Sequence, residues 1–282
     1  GGLLPDDGKP RDYHLVAGRF PLFLHNGLLI NDDMLGFVVN KNQIPLSPLS
    51  NLNVQVFGGI DSFDVFQGSW ANMFGVHAAA DYHHAFFETT AATLNTSGGA
   101  NANFAAVSGT HFFGMCSVAG RGLFKWADTA GRGDAQLYVL ESNRTRRFSD
   151  ACANLTGIDH GVFYANLFRA SRGWTPISGG NFNRLNSTFE VNPLVSISRV
   201  GTAEDTLGSA LGVQLFRHHD DESWIPEVAY QAPGGTPTWG VSLSWLRKTG
   251  ARTYIRVRGN RTWSHDASLE QEGVFASTFV VF

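Results

Sequence analysis

The sequence predicts an all-β fold: an antiparallel sheet closed into a transmembrane β-barrel of roughly 14–16 strands, if tilted strands run ~9–11 residues. A soluble β-sandwich or jelly roll is the alternative with the same local pattern. Three observations favour the barrel. Apolar and polar residues alternate with a period of two along the whole chain, while helical periodicity is scarce. Only 16% of the 282 residues are charged, against a usual ~25%, and just four are lysines, which is unlike a soluble surface. Trp224, Trp239, Trp245 and Trp263 sit toward strand ends, where an amphipathic ring suits a membrane interface.

The elements follow in order. Residues 12–20 form a first strand with Tyr13, Leu15 and Ala17 on one side. Residues 21–39 are apolar on several faces and read as a buried strand or a loop packed inside the barrel. Strands follow at 52–59 and 73–88, the latter setting Phe74, Val76, Ala78 and Ala80 on one face. Others are expected at 104–115, 135–142, 161–171 and 184–192. In 206–218, Leu207, Leu211, Val213 and Leu215 oppose Gly208, Ala210, Gly212 and Gln214. In 223–232, Trp224, Val228 and Tyr230 oppose Glu227 and Gln231, and Pro226 demands a bulge or a gap in pairing. Residues 237–263 read as a hairpin about a turn at Lys248–Gly250, with Trp239, Val241, Leu243, Trp245, Ile255 and Val257 on its greasy face. The last strand is 273–282. Gly-, Asn- and Asp-rich turns separate these runs, and no shift in composition divides 1–282 into more than one domain.

Composition excludes several classes. A net charge of −3 gives no basic surface for nucleic acid. No apolar run approaches the ~18 residues of a membrane-spanning helix, so a membrane role requires a barrel. The start, "GGLLPDDGKPRDYH", lacks a basic and then apolar leader and reads as a mature product or a fragment. Cys116 and Cys152 are too few for a disulfide framework, and sequence leaves their pairing open.

A catalytic or metal centre finds little support. HExxH, zinc spacing and a G-x-S-x-G elbow are all missing, so no cofactor is expected. "HHDDE" at 218–222 reads as a hairpin turn rather than a cation site, and His77 and Asp81 as polar interior. No His is followed at two residues by Ser, as an outer-membrane phospholipase would need. The RGD at 132–134 reads as a turn, and "SNRTRRF" at 142–148 as a charged loop or a basic vestibule.

The chain ends on an apolar strand finishing in Phe282, which resembles the assembly signal of bacterial outer-membrane β-barrels. The stretch "LVAGRFPLFLHNGLLINDDMLG" (15–36) resembles the Gly-Arg strand and glycine-containing loop of alginate-export and related porin-like proteins. The resemblance implies a bacterial outer-membrane location and passive diffusion of small polar, anionic or saccharide solutes. It also implies membrane lipid as a partner and a homotrimer as the assembly. With the greasy stripes turned to lipid, a pore lining follows: Arg256, Arg258, Asn260, Ser242, Ser244, Glu227, Gln231 and Glu190. On the lipid face each arginine would cost about 2–4 kcal/mol at midplane, whereas beside a wet lumen that cost nearly vanishes. Two surface arginines on a soluble hairpin are the competing account. A third architecture is a structural barrel plugged by residues 21–39. One spacing argues against the barrel: Trp239 and Trp245 lie about 20 Å apart along a strand, too close for opposite aromatic girdles of a ~25 Å band.

Overall fold

Fourteen antiparallel strands form one sheet in the computed structural model, which describes residues 13–128, 133–179, 204–218, 220–267, 270 and 272–280. They are β1 (Tyr13–Leu24), β2 (Ile30–Lys41), β3 (Asn51–Phe63), β4 (Ser69–Tyr82), β5 (Ala85–Thr96), β6 (Asn101–Phe113) and β7 (Cys116–Ala127). After these come β8 (Ala135–Arg147), β9 (Ile158–Ala170), β10 (Thr206–Arg217), β11 (Glu222–Pro233), β12 (Thr238–Lys248), β13 (Thr253–Ser264) and β14 (Glu272–Val280). A short helix, α1 (Asp150–Thr156), joins β8 to β9. Each strand pairs with its neighbours in sequence, and among the described residues β1 and β14 are the two edges. Among the described residues there is no second sheet, and the strands form a single up-and-down sheet rather than a sandwich.

Cross-strand partners share a face, so the register assigns every side chain inward or outward. On β12, Val241 and Leu243 are each 45% exposed, while Ser242 and Ser244 between them are 8% and 3% exposed. The same holds across the sheet: Phe74 and Val76 on β4, Val107 on β6, Leu140 on β8, Leu167 on β9, and Leu207 and Leu211 on β10 are exposed. The opposite face buries His77, Thr90, Ser108, Glu141, Asn166, Glu227 and Thr262. This inverts a soluble protein, and in water the outward face would be one continuous apolar liability. Against hydrocarbon it is the low-energy arrangement.

An even strand number brings the start of β1 and the end of β14 to the same end of the sheet, called basal here. Basal connections include the two-residue turns at 83–84 and 114–115, and β9 ends and β10 begins at the distal end. Trp239 stacks near Tyr230, ring centroids 4.6 Å apart, and is paired with Trp263 toward the distal end. Trp224 and Trp245 meet toward the basal end. Both of their indole N–H groups donate to Glu222 Oε1, at 2.8 and 3.0 Å, which turns the rings toward the basal rim.

Several expectations are corrected. Residues 73–88 are two strands, because the chain reverses at His83–His84, with His83 at φ 49°. Residues 21–39 supply the end of β1, a 3-10 turn at His25–Gly27 and most of β2, so the inner loop expected there is the turn, which packs against the interior, and the rest is wall. β7 escaped notice, since Gly120 and Gly122 fall at outward positions and interrupt the stripe of Val118, Phe124 and Trp126. The strand expected at 184–192 lies outside the described residues.

The distal half of the interior is apolar. Leu22, Leu24, Leu28, Leu29, Met34, Phe57, Phe63, Leu94, Leu123, Leu137, Trp174 and Ile177 form one cluster. The basal half of β11–β13 instead turns serine, asparagine and arginine inward.

Candidate pore lining

The inner wall is built by register. Glu227 pairs with Ser242, which pairs with Asn260, so all three lie side by side on one face. Two residues nearer the basal end, Ser244 pairs with Arg258, and Leu246 then pairs with Arg256. Toward the distal end, Gln231 pairs with Thr238. Seven of the eight residues expected in a pore lining therefore share the inward face of three adjacent strands, and Glu190 lies outside the described residues. The Arg256 guanidinium rests 5.4 Å from the Phe279 ring on β14, a cation–π contact that holds it against the wall. Tyr164 on β9 donates to Glu227 Oε2 at 3.2 Å. Its ring crosses Gly212, where any Cβ would collide with it, so the glycine makes that reach possible.

A second polar set occupies the inner face of β4–β8. Arg121 donates from Nε to Glu141 Oε2 at 2.9 Å, with Nη2 at 2.8 Å and Glu88 at 3.7 Å from Nη1. This charge-assisted contact satisfies a guanidinium that is 7% exposed. Sequence reasoning missed the trio because each member comes from a different strand, and pairing at that range leaves no local spacing to read. Its only signal was Arg121 itself, an arginine in an otherwise small and apolar run.

The distal end is closed by two inward segments. At the β1–β2 turn, His25 and Asn26 both adopt left-handed backbone, φ 52° and 59°, followed by Gly27 at 77°. Such strain in non-glycine residues persists only where the surroundings enforce it. Here it seats the His25 ring with Nδ1 2.6 Å from Ser108 Oγ and Nε2 2.8 Å from Thr90 Oγ1, the latter also 2.8 Å from His77 Nδ1. Burial first, then the His77 and Arg121 charges, lowers the His25 pKa from 6.5 to about 3. The second segment, 171–179, follows β9. Ile177 N–H donates to Leu29 O, Asn31 N–H donates to Ser178 O, and Ser178 Oγ donates to Asp32 Oδ2 at 2.6 Å. Lys125, 1% exposed, donates to Gly173 O at 2.6 Å. Trp174 fills the space above Phe104, edge to face.

No group of three or more metal-ligating side chains occurs among the described residues, and His218, Asp220 and Asp221 lie between β10 and β11. Cys116 carries a free thiol.

No protein-family model matches the chain, and no curated protein matches it. Solved structures do. OccK2 (OpdF) of Pseudomonas aeruginosa, in complex with glucuronate, aligns with a TM-score of 0.60 at 10% identity, covering 97% of this chain and 80% of that one. OpdK of the same organism, with vanillate, gives 0.60 at 11%, covering 95% and 76%. Wzi of Escherichia coli, an outer-membrane protein involved in group 1 capsule assembly and a carbohydrate-binding β-barrel, gives 0.55 at 11%, covering 89%. The chain spans 62% of Wzi's length. At these identities the likeness establishes the fold, that of outer-membrane β-barrels.

Proposed function

We propose that this chain is a bacterial outer-membrane porin through which small polar solutes diffuse without chemistry or cofactor. One observation carries the reading: a single sheet with its apolar face outward and charged and hydroxylated residues inward, in a fold shared with outer-membrane porins. Arg256, Arg258, Asn260, Ser242, Ser244, Glu227, Gln231 and Glu190 are proposed as pore-lining. Arg256 and Arg258, on the inward face of β13, are the cations proposed to favour anionic solutes, as basic residues lining a pore do. Glucuronate and vanillate in two of the structural neighbours are carboxylates, which supports the same class here. The alginate-export likeness rests on residues 15–36 alone. Location in the outer membrane, contact with lipid, and a homotrimer complete the proposal, the last measurable as mass in detergent.

A plugged structural barrel is the second reading, favoured by Trp174, Leu29 and Ile177 packed across the distal interior. Steady current through the full chain in a planar bilayer supports the porin. A chain that inserts and passes no current is a plugged barrel, and the porin proposal then falls.

A further inference from the structure

The stretch "SNRTRRF" finds no role in the lumen. Arg144 and Arg146 are at even positions of β8, where odd residues such as Leu137, Val139 and Glu141 face inward. Both arginines therefore lie on the outward face, at the basal end. By register Arg144 sits between Cys116 on β7 and Phe163 on β9. Met115 O accepts from the Thr145 N–H at 2.9 Å, which holds the β6–β7 turn against this strand end. The result is a cavity of about 480 Å³ lined by Phe113, Met115, Cys116, Arg144, Arg146 and Arg147.

Phe113 and Met115 are each 60% exposed, and Phe163 is exposed beside Arg144. None of the three arginines takes part in an ion pair among the described residues. Leu140, in the apolar belt, is four residues from Arg144 on the same face, about 13 Å along the strand. At ~45° tilt that becomes about 9 Å toward the rim, at headgroup depth below the apolar belt. Uncompensated cations beside exposed apolar side chains at that depth complement an amphiphile with an anionic head. A soluble partner does not reach this face, and a solute in the lumen is on the wrong side of the wall.

We infer that this pocket is a headgroup site for an anionic phospholipid, its phosphate taken by Arg144 and Arg146 and its acyl chains lying along Phe113 and Met115. The inference rests on the outward face meeting lipid, as proposed above. Arg147, at the rim, adds to the field from the inward side of the strand.

The test uses the full chain refolded in detergent with matched phosphatidylglycerol and phosphatidylcholine, retained lipid being counted by native mass spectrometry. The chain should retain phosphatidylglycerol preferentially. Each arginine near an anionic surface contributes about fivefold, so Arg144→Gln/Arg146→Gln should weaken retention about 25-fold. Arg144→Lys/Arg146→Lys should keep most of it, and Arg169→Gln, outward at the distal end, should change nothing. Equal retention of the two lipids, or a double Gln variant that behaves as the parent, overturns the site. A barrel that conducts in bilayers but shows no lipid preference refutes this inference alone. A chain that stays out of membranes and detergent refutes it together with the porin reading.

Discussion

Acid should loosen the β1–β2 turn from the barrel wall, and the magnitude follows from the His25 site. The ring is fully buried, bonded through both nitrogens to Thr90 and Ser108, and faces His77, Arg121 and Glu88 from three strands. Its pKa is lowered from 6.5 to about 3, so the seated turn holds the neutral form. Above pH 6.5 the ring is neutral whether seated or released, and pH has no effect. Below 6.5 the released ring takes a proton that the seated one refuses. Each further pH unit then favours release by about 1.4 kcal/mol until the seated pKa is reached. At pH 5 that amounts to about 2 kcal/mol, roughly a thirtyfold shift in the open population. Neutral His25 uses one nitrogen to accept from a hydroxyl. A proton there makes both nitrogens donors, and the hydroxyl that was donating must turn away. Hydrogen exchange over residues 24–30, corrected for intrinsic rates, should report faster opening at pH 5 than at pH 7. His25→Asn keeps a donor and an acceptor but does not titrate, and it should abolish the difference. An unchanged acid response in that variant would refute the reasoning and move the titration to His77 or beyond.

Replacing Arg256 and Arg258 with Ser should lower anion preference, read as a shift in reversal potential across a salt gradient; an unaltered potential rejects both as pore residues. Gly212→Ala should displace the Tyr164 ring from Glu227 and cost about 1–3 kcal/mol, seen as a lower midpoint in heat-modified gel mobility. A midpoint equal to the parent's would mean the ring has another place to go. Val241→Arg should impair insertion by about 2–4 kcal/mol if this face meets hydrocarbon, whereas Ser242→Arg, one residue on, should insert normally. Equal folding of the two would deny the outward assignment.

The strand rhythm was legible because facing is a period-2 property, and 237–263 displayed it without interruption. What escaped notice had physical causes. At β7, Gly120 and Gly122 remove the outward side chains that the pattern depends on. At 73–88, nothing in "DYHHA" resembles the usual Asn-Gly or Asp-Gly reversal, yet His83 takes the left-handed conformation that such a turn requires. Residues 21–39 were read as a buried strand or an inner loop because they are apolar on several faces. The structure shows why both sides are apolar: Phe23 is exposed on the outward face while Leu22, Leu24 and Met34 pack in the interior cluster with Trp174 and Ile177. The site was legible where it is one hairpin and its neighbour, since Ser242, Ser244, Arg256, Arg258 and Asn260 alternate visibly. The Arg121–Glu141–Glu88 trio and the His25 seat join residues 20 to 83 positions apart, and no spacing announces them.

If the chain is the porin proposed, these two interiors set the order of events for a solute. From the basal end the wall is polar, with Arg256, Arg258, Asn260, Ser242 and Ser244 on the inward face of β12 and β13. From the distal end the path meets Trp174, Leu29 and Ile177, tied to the wall by Lys125, Asp32 and the Leu29 carbonyl. On the porin reading, passage requires displacing 171–179, which is held by the apolar burial of Trp174 and Ile177 and by hydrogen bonds with Leu29, Asn31, Asp32, Asp64, Val65 and Lys125. Net hydrogen bonds contribute about 0.5–1.5 kcal/mol each, and the Lys125 bond, being charged, about 1.5–3. Lys125→Met keeps most of the packing volume and removes the charged bond to Gly173 O. It should raise the single-channel open probability without changing ion preference, because Lys125 is too buried to face a passing ion. A change in preference with no change in opening would place Lys125 among the selecting residues and return the distal segment to a purely structural part.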